Sequence, residues 1–125
     1  MDLEEFRDYC LSKIAASESM PFGEGILVLK VAGKLFALAA LDEIPATVNL
    51  KCNPDLALAL RDQYDQVQPG YHMNKKHWNT VEIDSGIPDA ELRKMIDHSY
   101  ELVVQSLPKK TREKLRRSRR MQDLA

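Results

Sequence analysis

The stretch Ile26–Lys51, ILVLKVAGKLFALAALDEIPATVNLK, decides the fold. Ile26–Ala32 is an apolar run rich in β-branched residues. Gly33-Lys34 supplies a tight turn, and Leu35–Leu41 is a second apolar run, so the pair predicts a hairpin. Asp42–Pro45 reads as a loop. Ala46–Lys51 then alternates: Val48, Leu50 and Cys52 point one way, Thr47, Asn49 and Lys51 the other. That is a strand with one buried face and one polar face. Three consecutive strands on short links predict an antiparallel meander.

Helices flank this core. Asp2 and Glu5 stand three apart, as in a capping box. Leu3, Phe6, Cys10 and Ile14 follow at helical spacing, and Ser17–Pro21 should end that helix. Downstream, Asn53-Pro54 is a strong helix start, an N-cap followed by a proline whose missing N–H costs nothing there. Leu56, Leu60, Tyr64 and Val67 line one face up to Pro69-Gly70. Trp78–Asp84 alternates again, with Val81 and Ile83 on one face. By parity Trp78 falls on the polar face with Thr80 and Glu82 unless a bulge resets the register. Pro88-Asp89 opens the longest helix, with the stripe Leu92, Ile96, Ser99/Tyr100, Val103 and Leu107, and Pro108 breaks it. The predicted order is α-β-β-β-α-β-α, an α+β domain in which helices cover one face of an antiparallel sheet. The other face is then available to a partner.

A chain of 125 residues suits one domain. With 44% hydrophobic and 30% charged residues, it is neither disordered, collagen-like nor membrane-spanning in composition. Residues 1–20 hold five acids and no apolar signal core, so a cytoplasmic location is expected. Cys10 and Cys52 are too few for a disulfide scaffold and read as small buried hydrophobes. The formal net charge of -1 hides an asymmetry. Residues 1–107 carry ten Lys/Arg against seventeen Asp/Glu, whereas residues 108–125 carry eight against two. We divide the chain into a domain over 1–108 and a basic tail over 109–125. A short helix over Thr111–Arg120 would have only Leu115 to pack with. A basic tail behind an acidic body points to a polyanion; the plain alternative is a solvated terminus.

The densest polar cluster is PGYHMNKKHWNT, Pro69–Thr80. His72, Asn74, Lys75, Lys76, His77 and Trp78 place cations, amides and π surface in one loop. Lysines neutralise phosphates, aromatics stack on bases, and Asn reads base edges. The alternative is a structural loop, its Asn and His bonding to backbone and Trp78 closing the core edge. A metal site would need a third ligand beyond His72 and His77, such as His98 or Cys52, and no metal is expected. Nucleophile-elbow, P-loop and dinucleotide-binding patterns are missing, so neither an enzyme nor a cofactor is expected.

PGYHMNKKHWNT resembles the MmcQ/YjbR-like family of small bacterial proteins. The resemblance extends to Val31–Ala37, Val48–Pro54, Ile87–Asp89, Asp97–Tyr100 and Leu107–Lys110, and covers roughly residues 2–115. It implies a compact α+β fold with a bent antiparallel sheet on helices. That fold is likened to frataxin-like and secretion-chaperone-like domains and to a double-wing DNA-binding module. A frataxin-like role would call for an acidic ridge, for which Glu4, Glu5 and Asp8 are the candidates. The expected function is non-enzymatic binding of nucleic acid, duplex DNA first. Lys51, Lys75 and Lys76 would contact phosphates, and His72, Asn74, His77 and Trp78 would order the loop or touch bases. Lys109, Lys110, Arg112, Lys114, Arg116, Arg117, Arg119 and Arg120 would add sequence-independent attraction. The alternative is a chaperone-like adaptor that docks a protein on the open sheet face.

Overall fold

The computed structural model describes residues 1–71 and 73–124. Asp2 caps helix α1 (Leu3–Leu11) with the expected capping box: its carboxylate accepts from the Glu5 N–H, and Glu5 reaches back to the Asp2 N–H. The helix ends earlier than its apolar spacing suggests. Ala15 adopts φ 62° and turns the chain, and Ala16–Ser19 becomes a short strand, β1. Ile14, which fits the helical stripe, leaves the helix yet still packs against the core.

The hairpin forms from β2 (Ile26–Val31) and β3 (Lys34–Ala40). Its two-residue turn is Ala32-Gly33, one position earlier than expected, and both residues have positive φ (48° and 82°). Two central residues at positive φ match the right-handed twist of the flanking strands. A register shift at Leu29/Lys30 leaves Phe36 as an extra residue in β3. Strand β4 (Thr47–Lys51) completes the meander. Helix α2 (Pro54–Gln63) starts at its Asn53 cap and Pro54 as the sequence demands. It stops at Tyr64, which is extended, and Val67–Pro69 forms strand β5 rather than a last helical turn. Val67 is buried all the same, opposite Val81 of β6 (Trp78–Glu82).

The six strands run β1-β2-β3-β4-β6-β5, antiparallel throughout. Both edges are short; one is polar and the other carries Pro69, features that discourage pairing with another chain. Helix α3 (Asp89–Gln105) lies across β2, β3 and β4, with its predicted stripe buried. Ser99 is fully buried and stitches this layer together. Its hydroxyl donates to the Phe36 carbonyl at 2.6 Å and accepts from the Lys51 N–H at 2.8 Å. Tyr100 packs edge-on to Phe36, with 5.5 Å between ring centroids, and donates to the Ile14 carbonyl.

The basic tail is helix α4 (Lys109–Leu124). Leu115, its one buried residue, does find a partner surface and joins the main core. Arg119 donates to Glu101 at 2.7 Å and lies over the Tyr100 ring. Among the described residues, no helix is long and apolar enough to cross a membrane.

Candidate functional site

The main core lies on the helix side of the sheet, and alternation assigns the other face. Leu27, Leu29 and Val31 belong to that core, as do Val48, Leu50, Val81 and Ile83. Their neighbours therefore point away from it. Register then aligns the outward residues in rows. One row holds Ser17, Lys30 and Leu35, continued by the Lys51/Trp78 pair. The next holds Val28, Leu38, Asn49 and Thr80, and the third Ile26, Ala40, Thr47 and Glu82. Trp78 thus lies on the polar face, as its parity predicts. The bulge that parity left open occurs in β3, not in β6.

Trp78 is half-buried, and its direct cross-strand partner is Lys51. Lys30 is hidden in an apolar run; its signal is that the buried Leu29 and Val31 bracket it. Lys30 and Lys51 are two strands apart, roughly 10 Å. The opposite end of the same face is acidic, with Glu82 in its row and Asp42 and Glu43 in the loop beyond β3.

The loop before Trp78 is built as a turn. The Asn74 side chain accepts from the Lys76 N–H at 2.9 Å, and its carbonyl accepts from the His77 and Trp78 N–H groups. Asn74 therefore orders the loop. Lys75 and Lys76 are exposed on it. His77 is half-buried, and its carbonyl accepts from the Cys52 N–H at 2.7 Å, tying the loop to the end of β4. His72 lies outside the described residues. Gly70 is required by close approach: a Cβ there would fall 2.8 Å from the Trp78 Cβ and 2.9 Å from its carbonyl oxygen.

Arg61, in the last turn of α2, is the residue that sequence reasoning misses. Its Nε donates to the buried Asn79 Oδ1 at 2.7 Å, and its Nη2 donates to the carbonyls of Trp78 and Lys75. One guanidinium thus fixes the loop from behind. A sequence clue is that Arg61 is the only basic residue in α2.

The α4 cations form a second group. Lys109, Lys110, Lys114, Arg116, Arg117 and Arg120 are exposed. Arg112 and Arg119 are half-buried, and Arg119 is engaged with Glu101. Lys110 and Lys114 border a depression shared with Ala32 in the β2–β3 turn. That turn is at the same end of the sheet as Lys30, Lys51 and Trp78. The two groups share an end of the molecule, although α4 belongs to the helical side.

Neither cysteine is poised as a nucleophile. Burial pushes the Cys10 thiol up to about 12 and the Cys52 thiol up to about 11, so both are protonated near neutral pH. Among the described residues, no three His, Cys, Asp or Glu side chains gather as a metal cluster.

This architecture defines a small α+β domain with every long helix on one side and a sheet face that no helix covers, basic toward one end and acidic toward the other. The YjbR family model matches residues 11–102, and the chain belongs to that family. Its relatives include the uncharacterized protein YjbR of Escherichia coli (strain K12), 36% identical over 115 residues, covering 92% of this chain and 98% of the relative. The uncharacterized protein YbdF of Escherichia coli O157:H7 is 41% identical over 97 residues, 77% of this chain and 79% of the relative. Among solved structures, Deinococcus radiodurans protein DR2400, a DUF419 domain, superposes with a TM-score of 0.85 at 32% identity. That match covers 90% of this chain and 86% of the other. A Pseudomonas syringae protein matches with a TM-score of 0.72 at 27% identity, over 82% of this chain and 98% of the other.

Proposed function

We propose that this YjbR-family protein binds nucleic acid, duplex DNA first, without turning it over. The observation that carries the reading is the Lys30–Lys51–Trp78 row, joined by Lys75 and Lys76, on a sheet face that no helix covers. Lysines supply attraction to phosphates, and the flat strand surface beneath them sets their spacing. Trp78 adds an aromatic surface beside Lys51, suited to sugar or base contact. The acidic far end, Glu82 with Asp42 and Glu43, repels the polyanion and so orients it along the basic row. The exposed α4 cations extend the attraction around the same end.

The second reading, a chaperone-like adaptor, has its own observation. A groove of about 570 Å³ crosses the acidic half of the open face, with Phe22, Ile26, Leu38 and Tyr71 in its lining. Phe22 is 73% exposed. An apolar surface of that kind suits a protein partner.

Fluorescence anisotropy with labelled duplex DNA, single-stranded DNA and RNA separates the two readings. Duplex binding that weakens at least tenfold in the Lys51→Ala/Lys75→Ala/Lys76→Ala variant supports the first. No binding to any of the three at low salt overturns it and leaves the adaptor.

A further inference from the structure

The groove at the acidic end of the open sheet face has two walls and a floor. Phe22, in the link between β1 and β2, stands on one side of it, and Tyr71, just past β5, on the other. Ile26, Leu38, Asn49 and Thr80 lie in its floor. The Thr80 hydroxyl accepts from the Tyr71 N–H at 2.9 Å and donates to Asn49 Oδ1 at 2.6 Å, which ties the Tyr71 segment to the floor. The floor crosses β2, β3, β4 and β6. Three inter-strand spacings make roughly 14 Å, the length of about four extended residues. Side chains rather than a strand edge face this space, so an occupant is recognised through its own side chains.

The surface selects the chemistry of that occupant. Its apolar part is reachable: Phe22 is 73% exposed, Tyr71 69% and Ile26 38%. Contiguous apolar surface of this kind marks a docking site. Its rim is anionic. Asp42 and Glu43 line it, Glu82 shares the row of Ile26, and none of the three forms an ion pair among the described residues. Lys51 leaves them unneutralised. It stands four residues along β4 from Thr47, roughly 13 Å, beyond the screening length of ~8 Å at physiological salt. Aromatic faces beside carboxylates favour a cation and repel an anion.

We propose that this groove takes a short basic peptide segment of a partner protein. A large apolar side chain of the segment sits among Phe22, Ile26, Leu38 and Tyr71, and flanking Lys or Arg side chains sit beside Asp42, Glu43 and Glu82. The inference rests on the adaptor reading of the groove and names its partner class. It does not depend on nucleic-acid binding at the basic end.

The test titrates the full chain, followed by NMR, with a blocked tripeptide carrying tryptophan between two lysines. Its counterparts carry two glutamines or two glutamates instead. At low salt the lysine peptide is expected to bind about fivefold more tightly than the glutamine peptide, with shifts at Ile26, Leu38, Asn49 and Thr80. The glutamate peptide should bind most weakly, and added salt should close the gap. Asp42→Asn/Glu43→Gln, in an exposed loop, should keep the melting temperature and erase the lysine preference. Phe22→Ala should weaken all three peptides alike. Equal binding of the lysine and glutamine peptides in the groove overturns the inference and leaves the adaptor reading standing. No binding of any peptide at millimolar concentration overturns both. A salt-sensitive self-association that Asp42→Asn/Glu43→Gln abolishes also overturns the inference, because the occupant is then a second copy of this chain.

Discussion

Ser99 has one hydroxyl and uses it twice, on the Phe36 carbonyl and the Lys51 N–H, at full burial. Removing it strands two buried backbone groups, so Ser99→Ala should cost about 1–3 kcal/mol, read by urea unfolding. Gly70 is a second such position. A methyl group there meets the Cβ and carbonyl of Trp78, and Gly70→Ala should destabilise by ~1–3 kcal/mol while shifting Trp78 fluorescence. His98 is governed by charge. Burial lowers its pKa from the ordinary 6.5, and its Nε2 must be neutral to accept from the Asn53 N–H. The unfolded chain therefore takes up this proton more readily than the folded one. The stability His98 contributes is complete above about pH 6.5 and is lost as pH falls through its lowered folded value. His98→Gln, which keeps an acceptor and does not titrate, should flatten that acid-side loss in melting curves taken from about pH 7 down to about pH 5.

At the scale of elements, Arg61 couples α2 to the loop ahead of β6. Arg61→Ala leaves the buried Asn79 Oδ1 unpaired and frees the Lys75 carbonyl, while the Trp78 carbonyl keeps its bond from the Gly70 N–H. It should cost about 2 kcal/mol in stability, and Arg61→Lys should recover little, since an ammonium cannot reproduce the fork. The elements that the sequence discloses are those with a strong local period. The stripe of α3, the alternation of β4 and β6, and the Asp2 and Asn53 caps all form as read. Strand parity alone is enough to put Trp78 and Lys51 together on the polar face. The segments that depart from their local spacing are ones where tertiary pairing overrides it. Val67 continues the apolar stripe of α2, but its burial comes from pairing with Val81 in β5. Ile14 likewise fits the α1 stripe, yet the chain turns at Ala15 so that Ala16–Ser19 can pair with β2. For α4, one apolar residue looks insufficient until Leu115 meets the core. The roles of Arg61 and Asn79 escape sequence reading for a related reason: they lie in contacts between residues 14 to 18 positions apart in the chain.

The open sheet face is electrically divided. On the open face Lys30, Lys51, Lys75 and Lys76 lie toward one end, which Lys110 and Lys114 of α4 also approach, while Glu82, Asp42 and Glu43 occupy the other. Polyanion binding should therefore weaken steeply with salt, and neutralising Lys51, Lys75 and Lys76 should reduce the slope of log K against log salt by about three. Neutralising the exposed α4 residues Lys109, Lys110 and Lys114 should lower affinity for every sequence alike without moving the contact on the sheet. The most direct test is amide chemical-shift mapping of the full chain titrated with duplex DNA. The open-face account predicts shifts concentrated in β4, β6 and residues 74–78, with quenching of Trp78. Shifts confined to α4, or no shifts at low salt, would contradict it.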